Sequence, residues 1–233
     1  MRAFAVDHGG HPALGYLIGS RTTYGLKDEY KDVDKLELRQ LAKSGVKIQA
    51  DPIEIIEVAY SGDTTANGLI LPPSCVANGM RAGVDMNGLA AADKSLLYKR
   101  QLFRAEIILC ELTYLDSTEG EDGRRKSLER GHLHICDLES IFLDEESGYD
   151  PSVIGPSKYL VFYHLSGRCR TATRALNMMA EGVPRQLQSR CQVAVSSLLS
   201  TDEKNSLKLH HLIQPNGCVS LASYIDWRDA EIK

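Results

Sequence analysis

The sequence lacks any long apolar run and any marked excess of charge of one sign. No segment approaches the roughly 20 consecutive apolar residues that a membrane helix needs, which excludes a protein anchored by such a helix. The 27 Lys and Arg residues stand against 31 Asp and Glu, a formal net charge of −4 that argues against a broad basic surface for duplex nucleic acid. With 43% hydrophobic and 25% charged residues, the 233-residue chain has the composition of a globular domain and not of a disordered protein.

The chain also lacks a closely spaced cysteine pair, and its first residues lead us to expect no secretory leader. Its six cysteines are at least 22 residues apart, so no Cys-x-x-Cys metal or redox motif occurs. The first apolar stretch ends at Val6 and is too short for a signal peptide. We therefore expect an intracellular protein, cytoplasmic or nuclear, whose cysteines are reduced and act as buried small apolar residues. A nucleophilic or zinc-binding thiol is the alternative for each of Cys75, Cys110, Cys136, Cys169, Cys191 and Cys218.

Short apolar and β-branched runs alternate with helical patterns along the chain. A run that is almost wholly apolar, such as Ile107–Leu109, is typical of a strand buried on both faces. The predicted strands are Phe4–Val6, Leu14–Ile18, Ile53–Tyr60, Ile107–Leu109 and Leu160–Leu165, and Val193–Leu199 is either a late strand or a short helix. This alternation of strands and helices predicts an α/β fold.

Helices are predicted from capping residues and from apolar residues at helical spacing. Asp34 and Glu37 form a capping-box pattern that begins one helix, and Gly45 ends it. Further helices are predicted over Asn87–Phe103, around Ile135–Phe142, and over Ala172–Met179 before Gly182 and Pro184. Residues 116–130, with mixed charges and two glycines, are expected to form a solvated surface loop.

Polar side chains follow several of the predicted strands at the point where each ends. They are His8, Asp63, Glu111 and His164, and His132 opens a predicted helix. Taken singly, each has a structural reading, as a turn residue or as a hydrogen-bonded histidine. Because ligand-binding residues in α/β sheets emerge just past the strand ends, we expect these side chains to lie close together. Imidazole and carboxylate groups suit zinc, so the set predicts a divalent-metal hydrolase site.

Five short motifs connect these residues to a known family. Tyr60–Thr64 contains Gly-Asp-Thr, Cys110–Thr113 is similar to His-Glu-Ala-Thr, and Gly131–His134 is similar to Gly-His-Ser-Thr. His8 is followed by Gly15-Tyr16, and His164–Arg168 is similar to His-Phe-Ser-x-Arg. In this order the motifs resemble the second half of a metallo-β-lactamase-fold hydrolase of the tRNase Z type, over roughly residues 2 to 200.

The resemblance implies a metal centre and a proton donor. His8, Asp63 and His164 take the positions of metal ligands, with Asp63 bridging two zinc ions. By the same resemblance, Glu111 orients His132, which protonates the leaving oxygen of a phosphodiester as a general acid.

The resemblance and the chemistry of the side chains also imply two contacts with substrate. Thr64 and Arg168 are the expected substrate-binding residues. The planar guanidinium of Arg168 suits bidentate contact with phosphate, and its structural alternative is a surface residue at a helix N-terminus.

The chain departs from the family pattern in ways that affect the predicted architecture. The family's His-x-His-x-Asp-His motif, which supplies four ligands, does not occur, and Cys110 and Cys169 stand where the family has His and Tyr. We therefore expect only the C-terminal portion of the αββα sandwich, over residues 1–200, with a C-terminal extension over 201–233. One sheet would then lack its partner layer and expose an apolar face.

The leading hypothesis is a zinc-dependent phosphodiesterase that cleaves precursor tRNA at its 3′ end. The implied partners are RNA and, in a homodimer, a second copy of the chain, with no membrane. One alternative is a hydrolase of another ester, because no Gly/Pro-rich insertion that could serve as a tRNA-gripping arm is present. The other is a catalytically inactive module, because most of the metal ligands are missing.

Overall fold

The described residues form one mixed β-sheet with helices packed against it. The computed structural model describes residues 1–22, 25–51, 53–70, 99, 101–143, 159–199 and 207–231. Seven strands lie in the order of the chain. They are β1 Arg2–His8, β2 His11–Thr22, β3 Ile53–Tyr60, β4 Ile107–Glu111, β5 Tyr159–Tyr163, β6 Cys191–Ala194 and β7 Cys218–Ser220.

The helices of these residues range from single turns to three turns. They are α1 Lys35–Lys43, α2 Ala66–Leu69, α3 Gly120–Glu129, α4 Leu138–Phe142, α5 Ala172–Gly182, α6 Arg185–Gln188, α7 Leu207–His210 and α8 Leu221–Glu231. Short 3-10 turns occupy Asp28–Tyr30, Ser117–Glu119, Ile135–Asp137 and Gly167–Cys169. No helix among these residues is both long and apolar enough to cross a membrane.

The sheet combines antiparallel edges with a parallel centre. β1 and β2 form a hairpin, and β2 pairs antiparallel with β3. β3, β4, β5 and β6 run parallel, so their carboxyl ends lie along one edge of the sheet. β7 returns antiparallel beside β6. This topology confirms the predicted α/β class and places three of the predicted polar strand ends side by side.

One face of the sheet forms the hydrophobic core with the helices. Phe4, Ile108, Phe162 and Val193 are at most 3% exposed and belong to a single buried cluster. The predicted stripe of α5 joins this cluster, since Ala172, Ala175, Leu176 and Met179 are all fully buried. The i, i+3, i+4, i+7 spacing thus identified the buried side of this helix correctly.

The opposite face of the sheet is only partly covered. Cross-strand pairing places Ile18, Ile107 and Tyr159 on it, and they are 45%, 37% and 50% exposed. The prediction that Ile107–Leu109 is buried on both faces is therefore wrong, because the residues at alternate positions face this less protected side. An exposed apolar face is what the resemblance to one half of a sandwich implies.

The prediction of a surface loop over residues 116–130 is also wrong, because most of this segment is the helix α3. Its charges form pairs one turn apart, such as Arg125 Nη2 with Asp122 Oδ1 at 3.0 Å. Gly123 and Ser127 lie on the buried side, four residues apart. A side chain at Gly123 would come within 2.8 Å of His134 Nε2, so this glycine allows the helix to approach the loop beneath it.

Of the remaining sequence predictions, some are confirmed and others concern residues outside the described ranges. Asp34 caps α1 by accepting a hydrogen bond from the backbone N–H of Leu36, and Gly45 follows with a φ of +84°. Most of the predicted helix Asn87–Phe103 lies outside the described residues, as does Cys75. Of the other five cysteines, Cys136 is exposed, and the four buried ones, which match the expectation, are Cys110, Cys169, Cys191 and Cys218.

The end of the described chain continues the same sheet. β7 pairs with β6, and α8 packs against α5, where Tyr224 Oη lies 2.8 Å from the side-chain oxygen of Asn177. The boundary between residues 1–200 and 201–233 stays a prediction.

Candidate metal and hydrolytic centre

The parallel strands bring their polar residues to one edge of the sheet. Asp63 lies in the turn after β3, Glu111 is the last residue of β4, and His164 follows β5. His132 lies between α3 and α4, where an isolated bridge between Tyr114 and His134 joins its segment to the end of β4. The structure therefore brings these side chains together at the edge where ligands bind in α/β sheets, as the sequence predicted.

Three of these side chains form a group that fits a metal ion. Asp63, His132 and His164 each offer one ligand atom, and these atoms lie within 4.8 Å of one another. His164 Nδ1 is 3.0 Å from Asp63 Oδ1, and both side chains are partly open to solvent. One carboxylate and two imidazoles are a donor set that suits zinc. The residues present thus fit the metal that the resemblance implies.

The backbone at this group is held in uncommon conformations. His164 has a φ of +57°, which a residue with a Cβ seldom adopts, and this turns its side chain toward Asp63. Gly62, beside Asp63, has a φ of +68°, and a Cβ there would lie 2.5 Å from the carbonyl oxygen of Leu14. Backbone strain of this kind clusters at binding and catalytic sites.

Glu111 is a fully buried carboxylate that holds the surrounding loops together. Its Oε1 accepts hydrogen bonds from the backbone N–H groups of Leu133 at 2.7 Å and Thr64 at 3.2 Å. Its Oε2 accepts from the Thr113 hydroxyl at 2.9 Å. The backbone N–H of Glu111 itself donates to Ser61 Oγ at 3.1 Å. This one carboxylate therefore joins the turn after β3 to the segment that carries His132.

His132 is oriented by Glu111. Its Nδ1 lies 3.4 Å from Glu111 Oε1 and 3.4 Å from Thr113 Oγ1. Hydrogen bonding to the Glu111 carboxylate raises the pKa of His132 above its usual value, against the opposing effect of partial burial. With Nδ1 facing Glu111, Nε2 is the nitrogen available to a metal or a substrate. A buried carboxylate behind an imidazole is the arrangement that fixes the tautomer of many metal-ligating and catalytic histidines.

His8 lies beside the three-residue group without belonging to it. Its ring centroid is 5.1 Å from that of His132, and its Nδ1 is 2.7 Å from the carbonyl oxygen of Gly131. A side chain at Gly131 would overlap the His8 imidazole, and Gly131 has a φ of +79°. The absence of a side chain at this position is therefore what lets His8 approach the segment of His132.

Replacing Gly131 with alanine tests this close approach. We expect Gly131→Ala to lower the free energy of unfolding by more than the roughly 1–2 kcal/mol that a left-handed conformation costs an alanine, because the new methyl group also displaces His8. Gly10→Ala is a matched control, since Gly10 has a φ of +81° and a Cβ at this position would have no atom within 4 Å. Thermal unfolding of both variants gives the difference. Equal losses of stability would show that the contact with His8 is unimportant.

The structure separates the two expected substrate contacts. Thr64 is fully buried, and its hydroxyl lies 3.1 Å from the carbonyl oxygen of Asp7, beneath the site and not at its surface. Arg168 is exposed in a 3-10 turn after His164 and lines a small cavity beside the site. Of the two, only Arg168 is placed where a substrate can reach it.

Two positioning residues were given no role by the sequence. Thr113 Oγ1 lies 3.0 Å from the carbonyl oxygen of His164 as well as 2.9 Å from Glu111 Oε2, so it joins two functional residues. Asp7 Oδ2 accepts from the Thr65 hydroxyl at 2.6 Å, and the Asp7 carbonyl accepts from the Thr65 N–H at 2.7 Å. Thr113 lies inside one of the short motifs and Asp7 directly precedes His8 of another, but the type of side chain alone assigned neither a role.

Comparison with known proteins finds a similar sequence. The chain is 30% identical over 124 residues to tRNase Z TRZ1 of Arabidopsis thaliana. The chain resembles a tRNase Z. The match covers 53% of this chain and 34% of that protein, so the chain spans about a third of the length of the curated relative it matches. No known family profile matches the chain.

Proposed function

We propose that the chain is a metal-dependent hydrolase of the tRNase Z type, which cleaves an RNA phosphodiester at the 3′ end of precursor tRNA. The observation that carries this proposal is the group of Asp63, His132 and His164, with Glu111 buried behind His132. The 30% identity to a tRNase Z supports the same activity. A hydrolytic site of this kind needs a metal-binding carboxylate, imidazoles and an oriented proton donor, and this edge of the sheet supplies all three.

The proposed metal is zinc, held by Asp63 and His164. Bound zinc lowers the pKa of a coordinated water to near 7 and so supplies a nucleophile at neutral pH. His8 is the third proposed ligand, because its Nδ1 faces the Gly131 carbonyl and its Nε2 stays available. By the family resemblance, a complete site would hold two zinc ions, and Asp63 would be among their ligands.

The proposed proton donor is His132. Glu111 holds its Nδ1, so that Nε2 can deliver a proton to the leaving oxygen of the phosphodiester. Glu111 itself is buried and does not touch the substrate, which makes it a positioning residue. Thr113 fixes the other oxygen of that carboxylate.

We further propose that this sheet is one layer of an αββα sandwich, with residues 1–200 as its C-terminal portion and 201–233 as an extension. The exposed apolar residues Ile18, Ile107 and Tyr159 support this, because a second sheet would cover them. A homodimer is the other proposed occupant of that face, and sedimentation velocity of the purified chain distinguishes a dimer from a monomer.

Cleavage of precursor tRNA is the direct test of the activity. We expect the chain, supplied with zinc, to release the 3′ trailer, and we expect chelation by EDTA to abolish the reaction. His132→Ala should remove cleavage while zinc binding, measured by calorimetry, is retained. A loss of zinc binding in His132→Ala would instead make His132 a metal ligand.

Two results would contradict the proposal in different ways. Hydrolysis of small phosphodiesters or thioesters without RNA cleavage would show a hydrolase with another substrate. Absence of both activities, together with no bound zinc, would show an inactive module. The His132→Ala chain assayed in parallel gives the background rate for each substrate.

A further inference from the structure

A small cavity opens beside the hydrolytic centre. Its volume is about 150 Å³, and Thr113 forms part of its wall. Thr113 also contacts Glu111 and the carbonyl of His164, so the cavity and the proposed reaction centre share a residue. The lining residues include Thr113, Tyr114, Asp116, Arg168, Arg174 and Met178.

One part of the cavity wall is cationic. Arg168 and Arg174 are exposed, and no ion pair joins either of them to a carboxylate within the described ranges. The two guanidinium groups come from adjacent segments, a 3-10 turn and the first turn of α5. The carboxylates of Asp116 and Glu119 line the same cavity, and Arg174 interacts electrostatically with Asp116. Guanidinium groups suit the oxygens of a phosphate.

The other part of the wall suits a nucleobase. Tyr114 and Met178 are half-buried and offer an aromatic ring and a thioether to a flat, polarisable ring. The carboxylate of Asp116 and the hydroxyl of Ser166 add hydrogen-bonding groups at the rim. Single-stranded RNA is recognised by this combination, in which a base stacks on an aromatic side chain and polar groups read its edge.

We propose that this cavity binds one nucleotide of the RNA, next to the bond that is cut. Its base lies against Tyr114 and Met178, and its phosphate contacts Arg168 and Arg174. This inference rests on the proposed function for the identity of the RNA. Apart from Thr113, which contacts Glu111 and the His164 carbonyl, the residues that line the cavity take no part in the proposed metal site.

Nucleotide binding without turnover tests the cavity directly. In EDTA, we expect each of the four nucleoside 5′-monophosphates to bind the full chain at least about tenfold more tightly than inorganic phosphate, because stacking adds to the charge contact. Calorimetry gives the affinities, and backbone NMR shifts locate the ligand at Tyr114 and Ser166. Nucleotides that bind no more tightly than phosphate, or that shift other residues, would overturn the proposal.

Single substitutions provide a second, independent test of nucleotide binding in the cavity. We expect Arg168→Ala and Tyr114→Leu each to weaken nucleotide binding about tenfold, the loss expected for a charged hydrogen bond or a stacked ring. Arg185→Ala removes the same charge from an exposed position that does not line the cavity and should leave the affinity unchanged. Unchanged binding in Arg168→Ala would also overturn the proposal.

The nucleotide-binding experiment and the cleavage experiment can fail independently of each other. Nucleotide binding by a chain that cleaves no RNA would support the cavity and reject the activity. Cleavage of precursor tRNA by a chain that binds no nucleotide here would reject the cavity alone.

Discussion

Asp63→Asn should abolish cleavage of precursor tRNA while leaving the fold intact. Asp63 supplies the only carboxylate of the metal-binding group found within the described ranges. Removing a residue that merely orients a metal ligand costs about 10–100-fold in affinity, so loss of a ligand should cost more than about 100-fold in zinc affinity. Calorimetric titration with zinc measures the affinity, and trailer release from precursor tRNA measures the activity.

The stability of Asp63→Asn should hardly change. The Asp63 side chain is 39% exposed and pairs with a His164 side chain that is 46% exposed. Such partly solvated pairs contribute at most about 1 kcal/mol to the free energy of unfolding. Asp122→Asn, on the exposed side of α3, is the matched control and should retain both zinc binding and cleavage. Normal cleavage by Asp63→Asn would refute the proposed metal site.

Glu111→Ala, unlike Asp63→Asn, should cause a large loss of stability. The substitution leaves the buried N–H groups of Leu133 and Thr64 without their acceptor, and the Thr113 hydroxyl keeps only the His164 carbonyl oxygen. Each buried polar group left unpaired costs about 1–3 kcal/mol, so we expect a total loss of about 3–5 kcal/mol. For a chain of this length, that corresponds to a fall in Tm of roughly 10 °C or more, measured by calorimetry.

A second substitution of Glu111 and a control substitution at another glutamate complete this test. Glu111→Gln retains the shape and one acceptor oxygen, so its Tm should lie between those of the wild type and Glu111→Ala. Glu129→Ala removes an exposed carboxylate from the end of α3 and should unfold at the wild-type temperature. A Tm of Glu111→Ala within about two degrees of the wild-type value is the result that our account of this carboxylate forbids.

Local sequence patterns predicted the elements that depend on local physics. The apolar spacing in Ala172–Gly182 gave a helix with its buried side, and Asp34 gave a helix start, because periodicity and capping are short-range properties. The polar residues at the ends of β3, β4 and β5 predicted the edge of the sheet where these side chains meet, because parallel strands share one orientation.

The rest depends on contacts between residues far apart in the chain. The helix α3 was missed because its two glycines weaken helix propensity, while contact with His134 favours Gly123 there. The role of Gly131 depends on His8, which lies 123 residues earlier, and no local pattern reports that contact. The partly covered face was expected only from the family resemblance, because an apolar run does not say which face of a strand another layer protects.

The hairpin β1–β2 has a mechanical consequence for the site. β1 is an edge strand, and its last two residues, Asp7 and His8, hold the Thr65 turn and the Gly131 segment. Edge elements open by local unfolding more readily than central strands do. Transient fraying of this hairpin would release Thr65 and Gly131 together, while the central parallel strands stay paired. The proposed reaction centre therefore stays assembled only while the tip of this hairpin is folded, even when the rest of the sheet remains intact.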